Sequence, residues 1–199
     1  GSDLTIDHSD KIQIIDWSSD RLVYAEVKPG ASAANPERYQ LLSYDYKTKQ
    51  RLVLAHANYF NDIVSAKGVI YYAASNNYSG GVSQFAKVNS DGTGAQVLLT
   101  DDVWNIFRQD YNDFALDSAT SWYNFALGAS KPAATANAPA NTDGRVYIDS
   151  SDGKHSLWVD TRDGKGALIV YDTATKKDTT LTEQSGLTYP VRWLKDATN

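Results

Sequence analysis

The side chains able to do chemistry are few and scattered. The three histidines are His8, His56 and His155; no two are four residues apart, and no His-Glu-x-x-His occurs, so the helical spacing of a zinc site is missing. Gly81-Val82-Ser83-Gln84-Phe85 approaches the Gly-x-Ser-x-Gly elbow of a serine hydrolase but fails at its last position, and it precedes an apolar strand pattern where the elbow requires a helix. Gly80-Gly81 and Gly92-Thr93-Gly94 lack the Lys-Ser/Thr of a phosphate loop and read as turns. Asp160-Thr161-Arg162-Asp163-Gly164 has the beginning of a calcium loop without its third acid or its closing glutamate, and reads as a hairpin turn. Carboxylates do cluster at Asp101-Asp102 and at Asp110, Asp113 and Asp117. Two converging carboxyl groups are what glycoside hydrolysis needs. Asn77-Tyr78-Ser79 fits the N-glycosylation pattern, which matters only in a eukaryotic secretory setting. The sequence therefore points to no catalytic residue, no metal ligand and no cofactor.

Composition narrows the remaining classes. The chain has 199 residues, a net charge of −5 and neither cysteine nor methionine. An acidic balance without clustered Lys and Arg argues against nucleic acid and against an anionic membrane surface. Without cysteine there are no disulfides, thiolate metal sites or cysteine nucleophiles, and the compartment is left open. Apolar runs of about five residues are far short of the ~18–20 that span a bilayer. The opening Gly1-Ser2-Asp3 has the pattern left by a cleaved tag, so the sequence reads as a piece of a longer protein.

The elements that must position any site repeat. Gln40–Ala55, Ser83–Thr100 and Ala167–Thr182 each read as an alternating strand, a polar turn and a second short strand. Their turns, Asp45–Lys49, Asn89–Gly94 and Asp172–Lys176, carry the Asp, Asn and Gly that tight hairpins need. Ser121–Ala136 is a fourth, weaker copy turning at Gly128-Ala129-Ser130. The residues before the turns are Tyr44, Val88, Phe125 and Tyr171, at spacings of 44, 37 and 46, close to the ~40–45 of a propeller blade. Another strand–turn–strand precedes each of three hairpins, at Trp17–Val27, Val64–Ser75 and Asp149–Thr161. Four strands per unit give blades at about 10–57, 58–102, 103–142 and 143–182, with 187–194 and 3–8 forming an incomplete fifth. The expected fold is an all-β propeller of four-stranded antiparallel blades, one domain over 1–199. No segment has helical periodicity over ten residues. Lys28–Arg38 and Gly128–Gly144, rich in Ala, Pro, Asn and Ser, are expected to be mobile surface loops. Pro132 restricts 131–137 to an edge strand or none.

At these turns the chain resembles the TolB-like and WD-repeat-like β-propeller families. Their Ser-Pro-Asp-Gly turn between the first two strands is matched by Asp149-Ser150-Ser151-Asp152-Gly153-Lys154 and, more loosely, by Trp17-Ser18-Ser19-Asp20, without the proline. Their Tyr-Asp-x-x-Thr-Gly turn between strands three and four is matched by Tyr44-Asp45-Tyr46-Lys47-Thr48-Lys49 and by Tyr171-Asp172-Thr173-Ala174-Thr175-Lys176, with lysine in the glycine position. Arg145–Leu194 resembles the propeller portion of bacterial extracytoplasmic proteins that carry a PEGA domain. These motifs are hairpin turns, so the resemblance implies a fold and not an activity.

Propellers bind at the channel mouth, on loops joining one blade to the next. Those loops are expected at 56–61, 101–105 and 183–189. They make His56, Tyr59, Asn61, Asp102, Trp104 and Tyr189 the candidate binding residues, because aromatics beside Asn or Asp give large contact area at low entropy cost. The alternative is that Tyr59, Trp104 and Tyr189 begin innermost strands and fill the core. The expected function is a non-catalytic interaction module of a bacterial surface or secreted protein. It would bind protein, peptide or cell-wall material, would be extracytoplasmic, and would be a monomer unless an open ring invites association. The competing readings are the propeller of a prolyl-oligopeptidase-like peptidase without its hydrolase half, and a glycosidase-type propeller with axial carboxylates.

Overall fold

The structure is a computed structural model that describes residues 5–6, 11–18, 20–32, 35, 37–75, 83–139, 142, 146–150 and 152–187. Among the described residues there are sixteen strands and no helix, and the strands form four sheets of four. The first sheet holds β1 (Ile12–Trp17), β2 (Arg21–Val27), β3 (Tyr39–Asp45) and β4 (Arg51–Ala57). The second holds β5 (Tyr59–Ala66), β6 (Val69–Ser75), β7 (Gln84–Asn89) and β8 (Gln96–Leu99). β9 (Val103–Arg108), β10 (Asp113–Ser118), β11 (Trp122–Ala126) and β12 (Ala133–Thr135) make the third. β13 (Ile148–Asp149), β14 (His155–Arg162), β15 (Lys165–Asp172) and β16 (Lys177–Gln184) make the fourth. In every sheet the spatial order is the chain order, the up-and-down meander of a propeller blade. The fold is all-β and propeller-like. The incomplete fifth blade falls outside the described residues except for Thr5, Ile6 and Leu187.

Local chemistry explains the turns. Asp163 and Gly164 join β14 to β15 with φ of 49° and 74°. This is the doubly left-handed turn that suits the twist of a two-residue hairpin, and Asp-Gly favours it. It therefore forms a hairpin and not an ion loop. Lys67-Gly68 does the same between β5 and β6, with φ of 53° and 76°. Pro132 stands just before β12, a three-residue edge strand paired only to β11, where a missing N–H costs no ladder bond.

The chain divides into two compact units, residues 1–106 with 116–138 and residues 107–115 with 139–199. In the first, β6 is buried along nearly its whole length. One face, Ile70, Tyr72 and Ala74, joins Val23, Ala25 and Leu41 of the first sheet in a single core. On the other face Tyr71 packs with Phe85 and with Phe125 of the third sheet, at ring separations of 6.1 and 5.7 Å. Phe85 and Phe125 are almost fully buried, and truncating either to alanine would cost about 3–5 kcal/mol. In the second unit the fourth sheet packs Trp158, Ala167 and Ile169 against Tyr111 and Tyr147. The Tyr111 ring stacks on Tyr171 at 3.6 Å and its hydroxyl donates to Asp178 at 2.6 Å. Burial, reinforced by that carboxylate, raises the Tyr111 pKa. Arg108 is buried in the same unit. It lies 3.2 Å from Asp149 and 4.7 Å above the Tyr147 ring, and Ser156 also donates to Asp149. A buried ion pair of this kind needs its several partners to offset desolvation.

Candidate functional site

The two Tyr-Asp-x-x-Thr hairpins have one geometry. Asp45 Oδ1 accepts the N–H groups of Lys47 and Thr48 at 2.9 and 2.8 Å; Asp172 Oδ1 accepts those of Ala174 and Thr175 at 2.9 and 2.8 Å. The Thr48 N–H holds the Asp45 carboxyl below the usual carboxylate value, and the Thr175 N–H does so for Asp172. The turn between strands one and two repeats as well. Ser18 donates to Asp20 and accepts from the Arg21 N–H, while Ser150 donates to Asp152 and accepts from the His155 N–H. The residue opening the second strand then faces the hairpin aspartate, the Arg21 guanidinium 2.9 Å from Asp45 and the His155 imidazole 3.6 Å from Asp172. These recurring residues hold the blades together internally.

The connections from one sheet to the next are different. They are shorter than the sequence suggested, because the strands run through most of the expected loops. β4 and β5 are joined by Asn58 alone, which is buried, and only residues 100–102 separate β8 from β9. His56 consequently lies on β4, exposed and in register with Gln40, and not in a connection. Tyr59 is the first residue of β5, and Trp104 is the second of β9. Neither fills the core: they are 47% and 48% exposed. Tyr59 meets Tyr39 edge-to-face at 5.4 Å. Trp104 Nε1 donates to Asp102 at 3.4 Å. Tyr189 and the Asn77 acceptor pattern lie outside the described residues.

Two side chains of β5 fasten it to β9, within the first unit. Asn61 Nδ2 donates to the Val103 carbonyl at 2.7 Å. Asp62 Oδ2 accepts the Ile106 N–H at 2.8 Å, and its Oδ1 accepts the Ile63 N–H at 2.9 Å. Burial raises the Asp62 pKa, opposed by those two N–H groups. The connection before β9 is fixed by Asp101. Its carboxylate accepts the hydroxyls of Thr120, Ser118 and Tyr123 at 2.5, 2.8 and 3.2 Å, and the Asp102 N–H at 2.8 Å. Burial opposes its charge, but these donors together lower its pKa. Asn61, Asp102 and Trp104 are thus brought together through Val103, with Tyr59 two residues from Asn61 on β5. His56 is not tied to this group by any bond described above.

Asp62 escaped the sequence reading. The available signal was an ionisable residue directly before the apolar pair Ile63-Val64 of a strand pattern, which calls for a donor from a neighbouring strand. The remaining carboxylates have local occupations. Asp110 accepts the N–H groups of Asn112 and Asp113, and Asp117 accepts from the Asn105 amide at 3.2 Å. No group of three or more His, Cys, Asp or Glu able to hold a metal ion occurs among the described residues.

No protein-family model matches the sequence, and no curated protein does. Solved structures are similar at low identity. TolB from Acinetobacter baumannii is 16% identical with a TM-score of 0.45, over 87% of this chain and 44% of its own. An oligogalacturonate lyase in complex with manganese is 12% identical with a TM-score of 0.43, over 82% and 50%. A putative TolB from Agrobacterium tumefaciens is 11% identical with a TM-score of 0.40, over 92% and 54%. The chain spans about half the length of these structures. Its propeller character rests on its own sheet order and on the blade turns repeated within it.

Proposed function

We propose that this chain is a non-catalytic interaction module that binds protein or peptide chains through the aromatic rim of Tyr59 and Trp104. The observation that carries the reading is the cross-strand fastening beneath them. Asn61 and Asp62 bond to Val103 and Ile106, and Asp101 locks the preceding connection. Large aromatic side chains held half-exposed on rigid strands lose little freedom when a partner covers them, which is the physical profile of a binding hot spot. Cell-wall material is a less favoured ligand, because the carboxylates near the rim are already engaged by local donors. The parent protein is proposed to be a bacterial surface or secreted protein, with a PEGA domain beside the propeller. That placement is supported by the blade-turn resemblance, and the complete reading frame and cell fractionation test it.

Peptides selected from a displayed library against the whole chain test the binding role. Trp104→Ala and Tyr59→Ala should each weaken a selected peptide at least tenfold by calorimetry, with the melting temperature unchanged within a few degrees. Val97→Ala, at an exposed position on β8, should leave affinity unchanged. Equal affinity in all three variants would overturn the rim reading.

A further inference from the structure

Asp-Gly stands in three described turns, Asp91-Gly92, Asp152-Gly153 and Asp163-Gly164. Glycine has no Cβ to shield its nitrogen, so such a pair can close on itself. The glycine N attacks the Cγ of the protonated aspartate, an N–C bond forms, a C–O bond breaks, and the hydroxyl leaves with the amide proton as water. Water reopens the five-membered succinimide at either carbonyl. One product is aspartate again; the other is isoaspartate, with the backbone running through Cβ and Cγ. No co-reactant but water is required. Closure needs a glycine N–H that is not held in a hydrogen bond and a carboxyl group able to turn toward it.

All three aspartates are exposed, so access to water does not separate them. Two are restrained. The Gly92 N–H donates to the Asn89 carbonyl and the Gly153 N–H to the Ser150 carbonyl, each at 2.9 Å. The Asp91 carboxylate accepts the Thr93 N–H and hydroxyl at 2.9 and 2.6 Å. Asp152 accepts the Ser150 hydroxyl and the Lys154 N–H at 2.7 and 3.0 Å. The Thr93 hydroxyl lowers the pKa of Asp91 and the Ser150 hydroxyl that of Asp152, which depletes the protonated form that cyclises. Asp163-Gly164 escapes both restraints. It is a two-residue loop whose ladder closes at Arg162–Lys165. Among the described residues no hydrogen bond holds the Asp163 carboxylate or the Gly164 N–H, and a Cβ built on Gly164 would meet nothing within 4 Å.

We infer that Asp163 is a site of self-modification in the folded chain, isomerising to isoaspartate through a succinimide with Gly164 while Asp91 and Asp152 stay intact. The product adds one carbon to the backbone of a two-residue loop. The pairs Thr161–Gly166 and Arg162–Lys165 flank that loop, and loop length sets their register, so the change falls on the β14–β15 hairpin. The site belongs to the second unit and does not depend on the peptide-binding reading.

The test ages the whole chain at neutral pH and body temperature, beside a sample held unfolded in guanidinium chloride. Peptide mapping with electron-transfer fragmentation, which cleaves isoaspartate within its own backbone, assigns each site; Asp143-Gly144, outside the described residues, is scored apart. In the folded chain isoaspartate should form at 163 at least tenfold faster than at 91 or 152. In the unfolded chain the three rates should converge, because the restraints on Asp91 and Asp152 are gone. Asp163→Asn keeps the turn chemistry and exchanges the hydroxyl leaving group for ammonia, so it should convert several times faster than the parent. Comparable rates at the three sites in the folded chain, no isoaspartate at 163, a lead at 163 that survives unfolding unchanged, or an Asn variant no faster than the parent would overturn the inference.

Discussion

Asp101 illustrates how one carboxylate can be drawn from chemistry into architecture. Its sequence neighbourhood, Asp101-Asp102 beside Trp104, has the look of a reactive pair. In the fold it gathers three hydroxyls and one N–H, which fixes the segment ahead of β9 to the β10–β11 turn. Hydrogen bonds to an ionised acceptor contribute about 1.5–3 kcal/mol in mutational series. Asp101→Asn keeps the shape but gives up the charge and replaces one acceptor by a donor, so a loss of about 1–3 kcal/mol at pH 7 is expected by urea denaturation. The pH dependence has a definite sign. The folded pKa lies below the ordinary 3.8, so the stabilisation is present above the unfolded value and disappears as pH falls through the folded one. The gap between the parent and Asp101→Asn should therefore be constant from pH 7 to about 5 and close as the solution is taken toward pH 2. A gap that widens on acidification would contradict the assignment. Asp62 has the opposite disposition, since burial raises its pKa. Its contribution is greatest at low pH and diminishes as pH rises through the folded value.

At the scale of elements, what could be read from sequence was what local chemistry decides. Asp45 and Asp172 cap their own turns, and Asp163-Gly164 and Lys67-Gly68 take left-handed φ, so hairpins appear wherever those residues fall between alternating apolar runs. Some strand ends are set by partners far along the chain, and these were not legible, although the strands expected to close at Val27 and Ser75 do end there. Asn61 bonds to a carbonyl 42 residues away, and nothing near it in sequence chose between a loop through 61 and the alternative of a strand beginning at Tyr59. The expected loop 56–61 is therefore mostly strand, and His56 moved out of a connection.

The hairpins also carry a residue that local chemistry does not favour. Lys49 and Lys176, in the glycine position of the turn motif, have φ of 62° and 55°. A left-handed non-glycine residue costs roughly 1–2 kcal/mol, against which glycine loses about 0.5–1 kcal/mol of chain entropy on folding. Lys49→Gly should therefore stabilise the chain, by up to about 1 kcal/mol, as a rise in the urea midpoint at constant slope. A fall in the midpoint would mean that the lysine side chain contributes more than the strain it imposes.

For the molecule as a whole, sheet edges decide whether it stays alone in solution. Every sheet ends on a strand with unpaired backbone groups, a template for another chain unless something blunts it. Three of the edge strands are too short to offer much, β8 with four residues, β12 with three and β13 with two. β16 is long, at eight residues, and nearly all exposed, but it carries Lys177, Asp178 and Glu183. The outer strand β4 exposes Leu52 and Val53, and there Gly92 of the β7–β8 turn lies against Leu52 so closely that a Cβ would sit 2.5 Å from its Cδ2. Edges that are short, charged or covered specify against edge-to-edge pairing. Light scattering should accordingly give the mass of one chain at tens of micromolar. Lys177→Val combined with Glu183→Val removes two charges from β16 without touching the Asp178 that Tyr111 needs. That variant should retain the β-type circular dichroism of the parent yet associate as concentration rises. A parent that is already a stable dimer, or a variant as monomeric as the parent, would show that something other than the β16 charges governs association.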